Sequence, residues 1–352
     1  MLLYLHIPFC DSKCHYCAFC SYTDKAQLKK PYSSAITKQF NFEVQRLEIK
    51  KGSINSLFVG GGTPSTFPAS LYEPFMFAVS PYLSKDAEIT TEANPNSATL
   101  SWLEGMRSFG FERVSFGVQS FDDKKLKFLG RIHSQKEAIE AILNAEKVGF
   151  KNISIDLMYD TKADTKKLLQ NDIEIASNLP INHLSAYSLT IEKNTKFYNH
   201  QNARKESLVL AKYMVNSLAQ KGFKQYEISN FSRGYECFHN KRYWEGDDYV
   251  GVGCGAVGFY KNRRFYPSQN PQAYIKNPTH QEVEQLSADD LRLERVFLAM
   301  RSNVGLLMDD LPQKLKDKLT LLADEKKGIV VEGRFYNLDY FIADEMALFV
   351  TS

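Results

Sequence analysis

The chain has 352 residues, 43% of them hydrophobic, and its 44 basic and 41 acidic side chains give a net charge of +3. This length and composition can supply one large domain plus a small one, each with an apolar core. The near balance of charge argues against a surface that coats nucleic acid, and no apolar run approaches the roughly 20 residues of a membrane span.

The first two hundred residues alternate between strand and helix patterns. Strands are predicted at 2–7, 54–60, 87–93, 113–119, 153–158 and 183–191, with helices at 31–50, 68–83, 100–109, 134–148 and 165–179. Such alternation predicts parallel strands joined by helical crossovers. Six units are too few for a closed eight-stranded barrel. The predicted fold class is therefore α/β, a partial (β/α)6 TIM-like barrel.

The pattern changes after residue 200. A helix is predicted at 203–221 and a strand at 223–231, then a stretch rich in glycine and aromatic residues, and a connecting loop at 267–278. Helices at 289–301 and 311–325 precede two short strand patterns at 328–332 and 334–338, which favours a small α+β domain resembling a winged helix. The predicted division is 1–200 for the barrel, 201–278 for an extension and 279–352 for the C-terminal domain.

Four of the six cysteines lie within eleven residues, and the first three, Cys10, Cys14 and Cys17, are spaced C-x3-C-x2-C. Thiolates this close in sequence can converge on one metal centre. Structural zinc usually uses two ligand pairs, and this chain has no second pair nearby. Three thiolates on an iron–sulfur cube leave one iron open for a ligand. Cys20 is either a fourth ligand, which would close that iron, or the free thiol that we expect.

Several chemistry-bearing residues follow predicted strands. Gly60-Gly-Gly-Thr-Pro64 lacks the ending of a phosphate-binding loop, and its glycines let a ligand meet the backbone directly. Ligands of α/β folds gather at the carboxyl ends of strands. Glu92, Gln119 and Asp156 stand at or near such ends. A charge such as Asp156 in an apolar strand is costly unless it is paired or bound.

Together these motifs resemble the radical S-adenosylmethionine (SAM) superfamily. The resemblance implies a [4Fe–4S] cluster on Cys10, Cys14 and Cys17, with SAM on the open iron. It also implies which residues contact SAM. These residues are Tyr4, Tyr16, Gly61, Gly62, Thr63, Glu92, Gln119, Arg131, Asp156 and Ala186. An arginine can pair with the carboxylate of SAM, and acidic or amide side chains can form hydrogen bonds with its ribose hydroxyls.

A narrower resemblance rests on Tyr4-Leu-His-Ile-Pro-Phe-Cys10, Phe116-Gly-Val-Gln-Ser-Phe121 and Ile155-Asp-Leu-Met-Tyr159. These segments are similar to the group that contains oxygen-independent coproporphyrinogen III oxidases of the HemN type and haem chaperones of the HemW type. Three features favour the HemW branch. The cysteine motif begins at Tyr4, Ala18 stands where the oxidase pattern has a cysteine, and His239-Asn-Lys-Arg-Tyr-Trp244 matches H-N-x-x-Y-W. That match implies haem binding through His239, Tyr243 and Trp244.

The resemblance implies a protein that binds haem and delivers it to a haem-requiring acceptor. The alternative is an enzyme that oxidatively decarboxylates two propionates of coproporphyrinogen III, and a weaker third idea is radical modification of RNA or another macromolecule. An electron donor is needed only where SAM is cleaved. Since thiolate clusters need a reducing compartment and Met1-Leu-Leu-Tyr4 lacks a charged signal region, we expect a cytoplasmic protein with at most peripheral membrane association.

Overall fold

The computed structural model describes all residues, 1–352, and its main feature is one twelve-stranded sheet. The six central strands are β1 (Leu2–Ile7), β2 (Ile54–Gly61), β3 (Leu83–Ala93), β4 (Arg113–Gln119), β5 (Asn152–Tyr159) and β6 (His183–Ser188). Each of these strands is parallel to the next, in chain order, and β1 does not pair with β6. The predicted α/β class with an open, partial barrel is therefore confirmed.

Six helices connect these strands. They are α1 (Lys29–Arg46), α2 (Glu73–Val79), α3 (Leu100–Ser108), α4 (Asp123–Leu129), α5 (Gln135–Lys147) and α6 (Lys166–Ser177). A capping box begins α5, since Ser134 and Glu137 exchange side-chain and backbone hydrogen bonds there. The helix predicted at 68–83 is only seven residues long as α2, because prolines at 68, 74 and 81 restrict it to one α-helical segment between 3₁₀ turns. The prediction missed α4, whose N-cap is Asp122 and whose left-handed C-cap is Gly130.

Alternation along each central strand separates an apolar face from a polar one. Outward residues such as Leu5, Val59 and Ile155 are fully buried in a core of 49 residues. Inward positions carry polar side chains, among them Glu92, Arg113 and Asp156. Because successive side chains of a strand point to opposite faces, one hydrophobic core and one polar interior arise from the same strands.

The section after residue 200 extends the sheet on both edges. Its elements are α7 (Leu208–Gln220), β7 (Lys224–Gln225), β8 (Asn230–Ser232), α8 (Phe238–Trp244), β9 (Tyr249–Val252), β10 (Gly258–Tyr260), β11 (Arg263–Pro267), α9 (Pro271–Lys276) and β12 (Gln281–Gln285). Strand β8 pairs antiparallel with β6, and β9 pairs parallel with β1. The single strand predicted at 223–231 is wrong, since the backbone turns between β7 and β8, which pair with each other. The loop predicted at 267–278 contains α9.

The C-terminal residues form a second core around a three-stranded sheet. Their elements are α10 (Ala288–Met300), β13 (Leu306–Leu307), α11 (Gln313–Asp324), β14 (Gly328–Val331), β15 (Arg334–Asn337) and α12 (Ala343–Thr351). The predicted helices and ribbon are confirmed, whereas α12 was missed. The boundaries at 200 and 278 stay a prediction, because strands of the middle section belong to the barrel sheet. None of the twelve helices is long and apolar enough to cross a bilayer.

Candidate cluster and cofactor site

The cysteine loop leaves the carboxyl end of β1 and lies against the loops that follow β2 and β4. Thr63 Oγ1 donates a hydrogen bond of 3.3 Å to Cys10 Sγ, and Arg131 Nη1 donates one of 3.3 Å to Cys14 Sγ. Burial raises the pKa of the Cys10 thiol, which the Thr63 hydroxyl opposes, and the neighbouring Cys17 and Cys14 add to the rise. The three thiols therefore share one electrostatic environment.

Asn94 links the two donors. Its amide nitrogen donates to Thr63 Oγ1 at 3.1 Å, and its amide oxygen accepts from Arg131 Nη2 at 2.6 Å. Thr63 is almost fully buried, so this arrangement is held inside the protein. The sequence analysis quoted Asn94 only as a neighbour of Glu92. The signal that could have found it is its position directly after β3, beside Pro95.

The glycine-rich loop after β2 is packed too closely for side chains. A Cβ at Gly62 would lie 3.0 Å from Cys10 Sγ, and a Cβ at Gly61, where φ is +120°, would lie 2.7 Å from the ring of His6. The Gly61 amide donates to Glu92 Oε2 at 3.2 Å. Glycine is therefore required here both by a positive φ and by the close approach of the cysteine loop.

Polar side chains on the inner face of the barrel surround a chamber of about 200 Å³. Its lining residues are Tyr4, Phe58, Glu92, Arg113, Ser115, Asp156, Ser185, Tyr187, His239, Asn240 and Tyr243. Burial and the nearby Asp156 raise the pKa of Glu92 to about 7. Burial also raises the pKa of Asp156, while hydrogen bonds from Ser185 and the charge of Arg113 oppose the rise. Two carboxyl groups with raised pKa values thus face one enclosed space.

Helix α8 carries the H-N-x-x-Y-W sequence into the barrel interior. His239 is 1% exposed, its Nδ1 lies 2.7 Å from Ser56 Oγ, and its ring lies against Phe58. Glu88 of β3 accepts hydrogen bonds from the backbone amides of Phe238 and His239. Burial, helped by the charge of Arg113, lowers the pKa of His239 to about 3, so the imidazole is neutral. This helix therefore closes the chamber from the side opposite the cysteine loop.

Two buried side chains in the chamber each have polar atoms that lack a hydrogen-bond partner. They are His239 Nε2 and the Nε and Nη1 atoms of Arg113. Buried polar atoms normally find a protein, water or ligand partner. Arg113 was not identified from the sequence. The signal that could have found it is a charged residue at the first position of an otherwise apolar strand. The unpartnered atoms indicate that the chamber is built to hold polar groups.

Comparison with known proteins shows the family to which the chain belongs. A family model described as the Radical SAM superfamily matches residues 4–171. The protein named Heme chaperone HemW from Lactococcus lactis subsp. lactis (strain IL1403) is 31% identical, covering 92% of this chain and 87% of the relative. The protein of the same name from Bacillus subtilis (strain 168) is 30% identical, over 95% and 92%. The chain belongs to the HemW family. Membership of the radical SAM superfamily implies SAM and a [4Fe–4S] cluster.

A solved structure agrees with the fold of this HemW-family chain. Coproporphyrinogen III oxidase (HemN) from Escherichia coli, described as a radical SAM enzyme, superposes with a TM-score of 0.82. The match covers 100% of this chain and 90% of the oxidase at 20% sequence identity. At that identity the likeness shows a shared fold, and the open barrel of the HemW-family chain is the fold in common.

The donor set of the HemW-family chain fits an iron–sulfur cluster. Three thiols lie near one another, with a hydroxyl and a guanidinium donating to two of them. Cysteine ligands of a four-iron cluster bind different iron atoms, so three thiols of one loop, with donors at two of them, suit it.

Most of the SAM contacts implied by the resemblance gather around the carboxyl end of the sheet. Gln119 ends β4 with φ of +69°, after an irregularity in the pairing of β4 with β5. Tyr16 lies beside Cys14 and Arg131: burial raises the pKa of its hydroxyl, the charge of Arg131 opposes the rise, and Cys14 adds to it. The side chain of Ala186 packs in the hydrophobic core, which leaves only its backbone for a ligand.

The three residues implied to contact haem separate in space. His239 faces the chamber, Tyr243 lies between the chamber and a second cavity of about 640 Å³, and Trp244 lines neither. The second cavity lies between α8, the outer strands β9 to β11 and helix α10. Its lining residues are Tyr243, Gly246, Asp247, Asp248, Tyr249, Phe259, Asn262, Arg264, Leu291, Glu294, Arg295, Phe297, Leu298 and Arg301. We call it the junction cavity.

Proposed function

We propose that this chain carries a [4Fe–4S] cluster on Cys10, Cys14 and Cys17, binds SAM beside it, and binds haem for delivery to a haem-requiring acceptor protein. Relatives that are 31% and 30% identical over more than nine-tenths of the chain carry the name Heme chaperone HemW. The observation that carries the haem assignment is the junction cavity, because Tyr243 of the H-N-x-x-Y-W helix forms part of its wall.

The chain's own residues prepare the cluster site. Hydrogen bonds from Thr63 and Arg131 hold the sulfur atoms of Cys10 and Cys14 in place beside the loops that follow β2 and β4. Gly61 and Gly62 let SAM approach the backbone, and Glu92, Gln119 and Asp156 offer acceptors to amino and hydroxyl groups. When bound, a cluster with one open iron supplies the electron that cleaves SAM. Cleavage of SAM would also need an electron donor as a partner.

The SAM assignment predicts that Asp156→Asn weakens SAM binding to the reconstituted protein by about 10- to 100-fold. A hydrogen bond to a charged group contributes roughly 1.5–3 kcal/mol, and the amide keeps the shape but loses the charge. Isothermal titration calorimetry, with SAM added to anaerobically reconstituted protein, measures the change in affinity. Glu140→Gln, an exposed position on α5, is the matched control and should bind like the wild type. Unchanged affinity in Asp156→Asn would remove this residue from the site.

The size and lining of the junction cavity support the haem proposal. Its volume of about 640 Å³ falls within the roughly 300–1,000 Å³ of typical ligand pockets, whereas the chamber of about 200 Å³ lies below that range. The rings of Tyr249, Phe259 and Phe297 offer aromatic surface to a flat macrocycle. Guanidinium groups can pair with propionates in bidentate fashion. Arg295 is exposed and forms no ion pair within the chain, so it is free to do so.

His239 has an indirect role in the proposed haem site. Imidazole is a common axial ligand of haem iron, but His239 is buried against Ser56 and Phe58. Its ring packs edge-on against Tyr243, whose ring in turn packs against Tyr249 in the junction cavity. We therefore expect His239 to position Tyr243 in this conformation, and to reach the iron only if α8 moves.

Haem titration tests the proposal. We expect stoichiometric binding by the wild type and at least a roughly tenfold loss, equivalent to about 1.4 kcal/mol, in Leu291→Trp, whose indole would fill the junction cavity. Leu293→Trp is the matched control, because Leu293 lies on the same helix, is exposed and does not line the cavity. The readout is the optical spectrum of bound haem.

The haem titrations of these variants distinguish a haem site in the junction cavity from one in the chamber. Loss of binding in His239→Ala with normal binding in Leu291→Trp would move the haem to the chamber. No binding by the wild type would contradict the haem proposal as a whole. In that case coproporphyrinogen oxidation becomes the better hypothesis, and an anaerobic assay for protoporphyrinogen and 5′-deoxyadenosine would test it.

A further inference from the structure

Two cysteines that are far apart in sequence meet at the edge of the cysteine loop. Cys20 lies three residues after Cys17, and Cys254 lies in the turn between β9 and β10. Their Sγ atoms lie 3.4 Å and 2.9 Å from one acceptor, the carbonyl oxygen of Gln269. Each thiol is also the largest influence on the pKa of the other. The two sulfur atoms are therefore neighbours.

The backbone around this pair is held firmly. The Cys254 amide donates to Tyr32 Oη at 2.8 Å, and the Gly253 amide donates to Gln39 Oε1 at 2.9 Å. Gly255 has φ of +75°, and a Cβ there would lie 3.2 Å from Cys20 Cβ. The backbone next to Cys254 therefore lies close to Cys20.

The two thiols differ in exposure and acidity. Cys254 is fully buried, whereas Cys20 is only half-buried and accessible from the loop surface. The hydrogen bond from Cys254, with further hydrogen bonding from His6, lowers the pKa of the Cys20 thiol although burial opposes the change. A thiolate that solvent can reach is the form that oxidants attack, and a neighbouring thiol can resolve the product.

We infer that Cys20 and Cys254 form a redox-active dithiol that a peroxide converts to a disulfide. The Cys20 thiolate attacks one peroxide oxygen, the O–O bond breaks, and the departing hydroxide takes a proton to become water. The resulting Cys20 sulfenic acid is attacked by the sulfur of Cys254. The S–O bond breaks, and water leaves with the Cys254 proton. Two electrons pass from the two thiols to one peroxide molecule, and a dithiol reductant reverses the change.

Oxidation would attach the cysteine loop to the turn after β9 without using Cys10, Cys14 or Cys17. The loop that carries these three cysteines would then be covalently fixed to the strand that neighbours β1. The inference is independent of haem binding, because neither cysteine lines the chamber or the junction cavity.

Peptide mapping tests the pair directly. Reconstituted protein and cluster-free protein are each treated with stoichiometric hydrogen peroxide, the remaining thiols are alkylated, and the chains are cut with chymotrypsin and analysed by mass spectrometry. Cleavage after Phe19 and Tyr22 separates Cys20 from Cys14 and Cys17. We expect a linked Cys20–Cys254 peptide that lacks two hydrogen atoms, and its loss after treatment with dithiothreitol.

Matched variants complete the test. Cys20→Ser and Cys254→Ser should each remove the linked peptide, while Cys237→Ser, at a buried cysteine beside Glu88, should retain it. The inference is overturned if Cys20 and Cys254 are both recovered as alkylated thiols. It is also overturned if Cys20 advances to a sulfinic acid while Cys254 stays alkylated, or if Cys20 links to a cysteine of its own loop.

Discussion

Replacing Cys14 with Ala is expected to abolish the iron–sulfur cluster, with iron and sulfide after anaerobic reconstitution falling to the level of a variant that lacks Cys10, Cys14 and Cys17. The physical reason is that Cys14 is one of three thiolates available to the cluster, and Arg131 already donates to its sulfur. Without that thiolate a second iron loses its protein ligand. Iron and sulfide analysis, with the visible absorption spectrum, measures the result.

Cys237→Ala is the matched control for this experiment. Cys237 is fully buried near Glu88, and burial raises its thiol pKa to about 12, so it stays protonated. Its iron content should equal that of the wild type. A full cluster in Cys14→Ala would mean that Cys20 or another group supplies the missing ligand, and the assignment of three cysteines would then be wrong.

Lys125→Met should lower the free energy of unfolding of the barrel by about 3–5 kcal/mol, the usual cost of removing one partner of a buried ion pair. Lys125 on α4 is fully buried and donates to Asp164 Oδ1 at 2.6 Å, with Asp172 Oδ2 at 3.9 Å. Methionine fills the space but leaves two buried carboxylates without a cation. Urea unfolding followed by circular dichroism measures the change. Lys127→Met, at an exposed position of the same helix, should stay within about 0.5 kcal/mol of the wild type.

The defect of Lys125→Met should depend on pH. Burial raises the pKa of Asp172 to about 6 even though Lys125 opposes the rise, so loss of the lysine should raise it further. A carboxyl group with a raised pKa in the folded state binds more protons there than in the unfolded chain. Stability therefore falls as pH rises above about 4 through the folded pKa. We expect a smaller defect near pH 5 than at pH 8, and a defect that does not change with pH would point to packing.

A double variant that adds Asp164→Asn to Lys125→Met distinguishes the effect of the buried charges from the effect of the changed side-chain shape. If the buried charges cause the defect, the double variant should recover part of the lost stability, because one uncompensated carboxylate becomes neutral. No recovery would indicate that the contact of Lys125 Nζ with the Met158 carbonyl oxygen, at 2.6 Å, matters more. This buried group connects α4 to the end of β5, close to the segment that presents Arg131.

The central barrel could be predicted from the sequence because its strands and helices are specified by residues that are neighbours in the chain. Apolar strand runs, the capping box of α5 and the glycine after α3 each depend on a few adjacent residues. The same reasoning failed between residues 223 and 285, where strands of two to five residues pair with one another or, as β9 and β8 do, with the distant strands β1 and β6. Elements that short carry too little periodicity to be recognised.

The fold class, the family resemblance and the three cysteines could be predicted without the structure, because motif spacing and strand alternation are properties of consecutive residues. Which side chains meet across long separations is visible only in the folded chain. Folding brought Asn94 between Thr63 and Arg131, turned His239 into the chamber and set Cys20 against Cys254. These contacts arise from the parallel order of the strands and from the return of the chain to β1 through β9, and neither can be calculated from spacing along the sequence.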